Sequence, residues 1–255
     1  MFTEKDSFKK PTDTNIKVWR YMDFTKFISL LNDGNLFFAR PDYFDDQFEG
    51  SLTKPTFEMF NKLFSDHSAP RKNFGEFLES FRKIIGINCW HMNEAESEAM
   101  WKLYLKGTEG VAVQSTYSKL AGSFHATKEE VSLACVSYVD YETHKFTYAR
   151  GSFNFYELFT HKRTSFAHER ELRAIVCNNS NPGNIYEGPL AKEIHQKAHL
   201  DGGKKITVDL NCLVENIYIS PYSASWFSLL VEDSIAKYGY DFHVLKSSLE
   251  KSPVF

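Results

Sequence analysis

Apolar residues along this 255-residue chain recur at two spacings, and the alternation between them lays out the elements. From Asp23, a good N-cap, Phe24, Phe27, Ile28 and Leu31 repeat at helical spacing, and Asn32-Asp33-Gly34 stops them. Residues 18–21 ahead of this helix read as a short extended segment. Leu36-Phe37-Phe38-Ala39 behind it reads as a buried strand, broken by Arg40-Pro41 into the turn-rich stretch 42–50. Amphipathic helices are expected over 55–65, 74–85 and 94–106, the last with Met100, Trp101, Tyr104 and Leu105 on one face. Strands are expected at 87–91, 111–113 and, longest of all, 131–141, with a short helix at 116–120.

A helix over 153–166 then leads into Glu169-Arg170-Glu171-Leu172-Arg173 and the apolar strand Ala174-Ile175-Val176-Cys177. Residues 178–204 carry the weakest pattern, with a short helix at 190–198 and the possibility of a lid. Strands at 206–210, 214–219 and 242–245 and a helix at 223–237 complete the chain. Helices mixed with short strand-to-strand links predict an α+β fold: a single domain over 16–255, with a mixed, mostly antiparallel sheet and flanking helices, behind a loose arm over 1–15.

Composition narrows the function classes. A net charge of −3 excludes wrapping duplex DNA by a global basic field but leaves room for a local groove. The 23 Phe, 13 Tyr and 4 Trp supply a core and leave rings to stack on a ligand. Cys89, Cys135, Cys177 and Cys212 show no C-x-x-C spacing and are read as reduced, buried small hydrophobes. Met1 to Lys10 lacks an apolar leader core, and no apolar run approaches 18 residues. The expectation is a cytoplasmic protein without a membrane segment.

Three segments can carry chemistry. In LFFARPDYFDDQFEG, Arg40 stands at a strand end before Asp42, Asp45, Asp46 and Glu49. These acids need cations to stay compact, so Arg40 either pairs with Asp45 or Asp46 or clamps a phosphate or carboxylate. Around Cys89-Trp90-His91 and Trp101-Lys102-Leu103-Tyr104, aromatic rings can stack on a base or nicotinamide, with Trp90 and His91 the better candidates and Trp101 closer to core packing. In the third segment, Lys162 and Arg163 are expected at a helix end, where cations meet the dipole. His168 beside Glu169 can act as acid or base near neutral pH. Glu171 and Arg173 share one strand face opposite Leu172, Ala174 and Val176, where buried charge demands a partner or a ligand; a structural ion pair and a catalytic site both stand open. No P-loop, dinucleotide fingerprint, nucleophile elbow or H-E-x-x-H helix occurs, and no metal site is assigned.

Taken in order, Trp19-Arg20-Tyr21, the helix ending at Asp33-Gly34, LFFARPDYFDDQFEG, CWHMNEAESEAMWKLYLKGTEGVAV and FAHERELRAIV resemble a bacterial family catalogued as a domain of unknown function, from about Trp19 to Lys237. More distantly the chain is similar to ADP-ribosyltransferases of the DarT type, toxins that modify nucleic acid. That likeness implies an ADP-ribosyltransferase-like fold, NAD as substrate, a nucleic-acid acceptor, a possible antitoxin partner and a place in toxin or phage-defence biology. It also implies roles: Arg40 for the first-strand cation that binds NAD, with Asp46 and Glu49 beside it, Trp90, His91, Trp101 or Tyr104 around the nicotinamide, and Glu171 as the late glutamate, with Glu169 and Arg173 setting its ionisation. The chain departs from that pattern in lacking a clear Ser-Thr-Ser strand and in carrying a second acid, Glu169. Two rivals remain: a metal-dependent nuclease or phosphoesterase using Asp45, Asp46, Glu49 and Glu171, and a non-catalytic nucleotide sensor.

Overall fold

The computed structural model of the chain describes residues 1–63, 70–149, 152–178, 198–250 and 253. In chain order the elements are β1 (Lys17–Asp23), α1 (Phe24–Asp33), β2 (Asn35–Ala39), α2 (Lys54–Leu63), α3 (Pro70–Ile84), β3 (Ile85–Met92), α4 (Glu98–Tyr104), β4 (Gly110–Thr116) and α5 (Tyr117–Ser123). They continue with β5 (Val131–Cys135), β6 (Ser137–Val139), β7 (Tyr148–Ala149), β8 (Ser152–Phe153), β9 (His161–Arg163), β10 (Glu171–Cys177), β11 (Gly203–Thr207), α6 (Leu210–Leu213), β12 (Asn216–Ile219), α7 (Trp226–Lys237) and β13 (Val244–Lys246).

Local chemistry accounts for α1. The Asp23 carboxylate accepts from the Lys26 backbone N–H at 2.9 Å, satisfying one of the unpaired donors of the first turn. Gly34 ends the helix at φ +60°, a left-handed position that glycine adopts without strain. The same capping logic places Thr116 at the start of α5 and Ser97 at the start of α4.

A mixed α/β architecture results, with helices flanking a mostly antiparallel nine-stranded sheet among the described residues. The sheet forks at β3. One edge of β3 pairs along its whole length with β10, from Glu171↔His91 to Cys177↔Ile85. Its other edge is shared: β1 meets it only at Val18↔Met92 and Trp19↔His91, and β2 only at Ala39↔Ile87. Beyond β1 run β4, β12 and β13; beyond β2 runs β11. Helix α1 links the two tines, and the middle of β3 lies at the crotch between them. The late strand at 216–219 therefore sits on the far branch, while β10 lies between β3 and β5.

Strand alternation sorts the side chains. Leu172, Ala174 and Val176 of β10 enter the main core with Trp90, Val18, Val113 and Phe227. Ile175 lies on the opposite face among Phe81, Phe146 and Phe159. A third cluster, Trp19, Tyr21, Met100, Trp101 and Ala112, packs α4 onto β1 and β4.

Three expectations change. The strand over 131–141 is two strands in different sheets, divided where the Val136 N–H turns to the Glu171 carbonyl at 2.9 Å. The helix over 153–166 does not form: 3₁₀ turns at 155–159 and 164–169 flank β9, because the aromatic residues there pack around Phe81 rather than along one helix face. Lys162 and Arg163 consequently lie on a strand, with no helix dipole to meet. Residues 1–15 form no regular element, but Phe8 is buried and the Thr3 N–H bonds the Val131 carbonyl at 2.8 Å, so this segment is tied to β5. The short helix at 190–198 falls outside the described residues apart from its last position. No helix among the described residues is long and apolar enough to cross a membrane.

Candidate active site in the forked sheet

A cleft of about 780 Å³ fills the fork. Its walls come from β1 (Trp19–Met22), α1, β2, the middle of β3 and the end of α4, and its deep end reaches Glu49, Lys162, Glu169 and Glu171.

The deep end is a charge network held by three separate segments. Arg173 is fully buried and grips Glu49 with both terminal nitrogens, at 2.8 and 2.7 Å, while also bonding the Phe159 carbonyl at 2.9 Å and Glu171 at 3.0 Å. Lys162 bonds Glu169 at 2.6 Å and stands 3.6 and 3.7 Å from Glu49 and Glu171. Gly50 fixes the loop that carries Glu49: its φ is +69°, and a side-chain carbon there would lie 2.7 Å from the Phe159 ring. Arg170 adopts a left-handed φ of +41°, uncommon outside glycine, in the turn between the two glutamates, and its guanidinium bonds Asn93 at the surface.

These contacts set the ionisation. Burial alone would raise Glu171, but Arg173 and Lys162 outweigh it and hold its carboxyl below the usual range. Burial does raise Glu169, even beside Lys162. Lys162, which burial would lower, is raised by Glu171, Glu169 and Glu49. Burial and the Glu171 carboxylate keep the Cys89 thiol protonated, and that thiol hydrogen-bonds Glu171. Three carboxylates, Glu49, Glu169 and Glu171, face two cations, Lys162 and Arg173, so the fully ionised group carries one excess negative charge.

The opposite wall carries a different cation. Arg20 points from β1 across the fork, and its Nη1 donates to the Cys89 carbonyl at 2.7 Å, bridging the stretch where β1 and β3 no longer pair. Among the described residues it makes no ion pair with a carboxylate, in contrast to the cations of the deep end. The rings of Tyr43 and Tyr104 stand at the mouth, well exposed, and Phe166 lies over Lys162 at 4.6 Å.

Of the residues the sequence singled out, Glu49, Glu169, Glu171, Asp46, Trp90, His91 and Tyr104 line this one cleft, and Arg173 braces it from behind. Arg40 does not. Its guanidinium pairs with Asp42, one contact at 2.9 Å, and bonds the Leu200 carbonyl at 2.7 Å, because a carboxylate two residues away satisfies the fork more readily than a distant ligand. Asp45 and Asp46 are not its partners either; Asp46 belongs to Arg163 at 2.8 Å. Trp101 is fully buried against Tyr21, its indole N–H on Glu96 at 3.0 Å, and contributes packing. Trp90 touches the cleft but is buried in the main core beside Leu172, its indole N–H on Asn88 at 2.7 Å.

The acids needed for a metal-dependent reaction are each committed to a cation or to solvent, and no group of three or more His, Cys, Asp or Glu suited to a metal ion occurs among the described residues. Sequence reasoning missed Arg20, Cys89, Tyr43 and Phe166 as cleft residues. The available signal was Arg20 itself, a cation inside the apolar strand Val18-Trp19-Arg20-Tyr21-Met22 with no acid two positions away. Comparison of the chain with protein-family models, with curated proteins and with solved structures gives no match.

Proposed function

We propose that the fork is a nucleotide-binding cleft and that the protein acts on NAD as an ADP-ribosyltransferase-like enzyme, moving ADP-ribose to a macromolecule, with nucleic acid the foremost acceptor. One observation carries this reading: a guanidinium that has no carboxylate partner among the described residues lines the same aromatic-rimmed cleft as the buried Glu49, Glu169 and Glu171. Arg20 takes the part expected of Arg40, offering charge-assisted N–H bonds to a pyrophosphate. Tyr43, Tyr104 and Phe166 supply faces for the adenine and nicotinamide rings. Glu171, kept ionised by Arg173 and Lys162, stands ready for the positive charge that develops on the ribose as nicotinamide leaves. The excess negative charge of the deep end suits the pyridinium of NAD in the ground state as well. A cleft of about 780 Å³ lies in the range that encloses a ligand of this size.

Incubation with adenine-labelled NAD and single-stranded DNA, RNA or protein tests the reading. Wild type should release nicotinamide and label an acceptor, and Glu171→Gln should lose roughly 100-fold or more in rate while retaining NAD affinity. A wild-type protein that releases no nicotinamide contradicts it. The saturation of Glu171 by Arg173, Lys162 and Cys89 favours a second reading, a sensor that binds a nucleotide without turning it over. In that case Glu171→Ala alters binding and there is no turnover to lose.

A further inference from the structure

His91 stands on β3, across the register from Glu171 on one side and Trp19 on the other, and its ring lines the cleft at 6% exposure. Its Nδ1 lies 2.6 Å from the Glu169 carbonyl oxygen, and because a carbonyl only accepts, Nδ1 carries the proton. Nε2 of the neutral imidazole then presents a bare lone pair, and this atom is buried with no hydrogen-bond partner among the described residues. A buried acceptor without a donor is costly, so one that persists beside a cleft calls for a ligand that brings the donor. The groups around it are Glu171 on β10, Cys89 on its own strand, the Tyr21 ring of β1 at 6.4 Å, and His168 and Arg170 in the turn before β10. Burial lowers the affinity of the imidazole for protons and outweighs the Glu169 carbonyl bond that raises it; Arg170 and His168 lower it further, so the ring is neutral at pH 7.

We propose that His91 Nε2 receives the hydroxyl or N–H of the group that accepts ADP-ribose and takes its proton during transfer; this role rests on the NAD reading above. The glycosidic bond from the ribose C1′ to the nicotinamide nitrogen breaks, and its electron pair leaves with nicotinamide. A lone pair of the acceptor forms the new bond to C1′. The acceptor's proton passes to Nε2 and from there to water, while Glu171 stays ionised opposite the sugar.

Imidazole nitrogen NMR of the ligand-free wild type, combined with transfer kinetics of His91→Asn, tests the assignment. Asparagine can still donate to the Glu169 carbonyl but has no basic nitrogen. The wild-type spectrum should show Nδ1 protonated and Nε2 bare at pH 7. H91N should transfer label from NAD to acceptor roughly 100-fold more slowly at saturating NAD and lose the acidic limb of the pH–rate profile. A protonated Nε2 overturns the assignment, and so does H91N transferring at the wild-type rate with its acidic limb intact; either result leaves the role of Glu171 standing. Wild type that releases no nicotinamide overturns the NAD reading and the proton transfer with it, whichever tautomer the spectrum shows.

Discussion

Arg173 and Arg20 lie on neighbouring parts of one sheet and have opposite surroundings. Arg173 is sealed, with two glutamates and a carbonyl on its guanidinium. Arg20 is half-buried at the fork and bonds one carbonyl. A buried charge whose partners come from the same chain serves the fold, because removing it strands the partners; a cation facing a cleft without an acid leaves its strongest contacts to a ligand. The comparison divides the charged residues of this protein into those that hold the cleft together and those that face what enters it.

The largest effect that would sharpen the division is on stability. Arg173→Ala leaves Glu49 and Glu171 buried without their main cation and should cost about 3–5 kcal/mol, read by chemical denaturation. A loss below about 1 kcal/mol would break the comparison on its closed side. Next comes the helix that links the two tines. Asp23→Ala removes the N-cap of α1 and should cost about 1 kcal/mol, and Gly34→Ala, forced into a left-handed conformation, about the same. Arg20→Met should change stability by no more than about 1 kcal/mol, since one hydrogen bond to a carbonyl is lost among the described residues.

The smallest expected effect is on pH dependence. Burial lowers the proton affinity of His91, His144 and His161 in the folded protein. As pH falls through about 6.5, the ordinary imidazole value, the unfolded chain takes up protons first and stability declines. Glu169, raised in the folded state, acts in the opposite direction, gaining stability as pH falls through its folded value. The histidine contribution is therefore read as a difference: thermal melting of H91N should fall less between pH 7 and pH 5 than that of wild type.

Legibility in the sequence followed the range of the interactions. Helix α1 was legible because its cap, apolar face and stop lie within a dozen residues, and the opposed faces of β10 followed from alternation alone. The charged cluster was legible as a site because buried charges require partners. Its partners were not, since Glu49 and Lys162 arrive from other segments. The supposed helix at 153–166 failed because phenylalanines that serve one core cluster mimic a helical face. Arg40 looked like a ligand clamp because strand-end arginines can be one, yet Asp42 lay close enough to neutralise it. Arg20 was legible only as a cation within an apolar strand; its place in a cleft comes from the divergence of β1 from β3, a property of the sheet.

Calorimetric titration of NAD into wild type, Arg20→Met and Arg40→Met tests the central claim most directly. Wild type and R40M should bind alike, and R20M should bind at least about tenfold more weakly, the equivalent of one charge-assisted hydrogen bond. Failure of wild type to bind NAD, or weakened binding by R40M with R20M unaffected, would contradict the assignment of the fork as a nucleotide cleft with Arg20 as its anion contact.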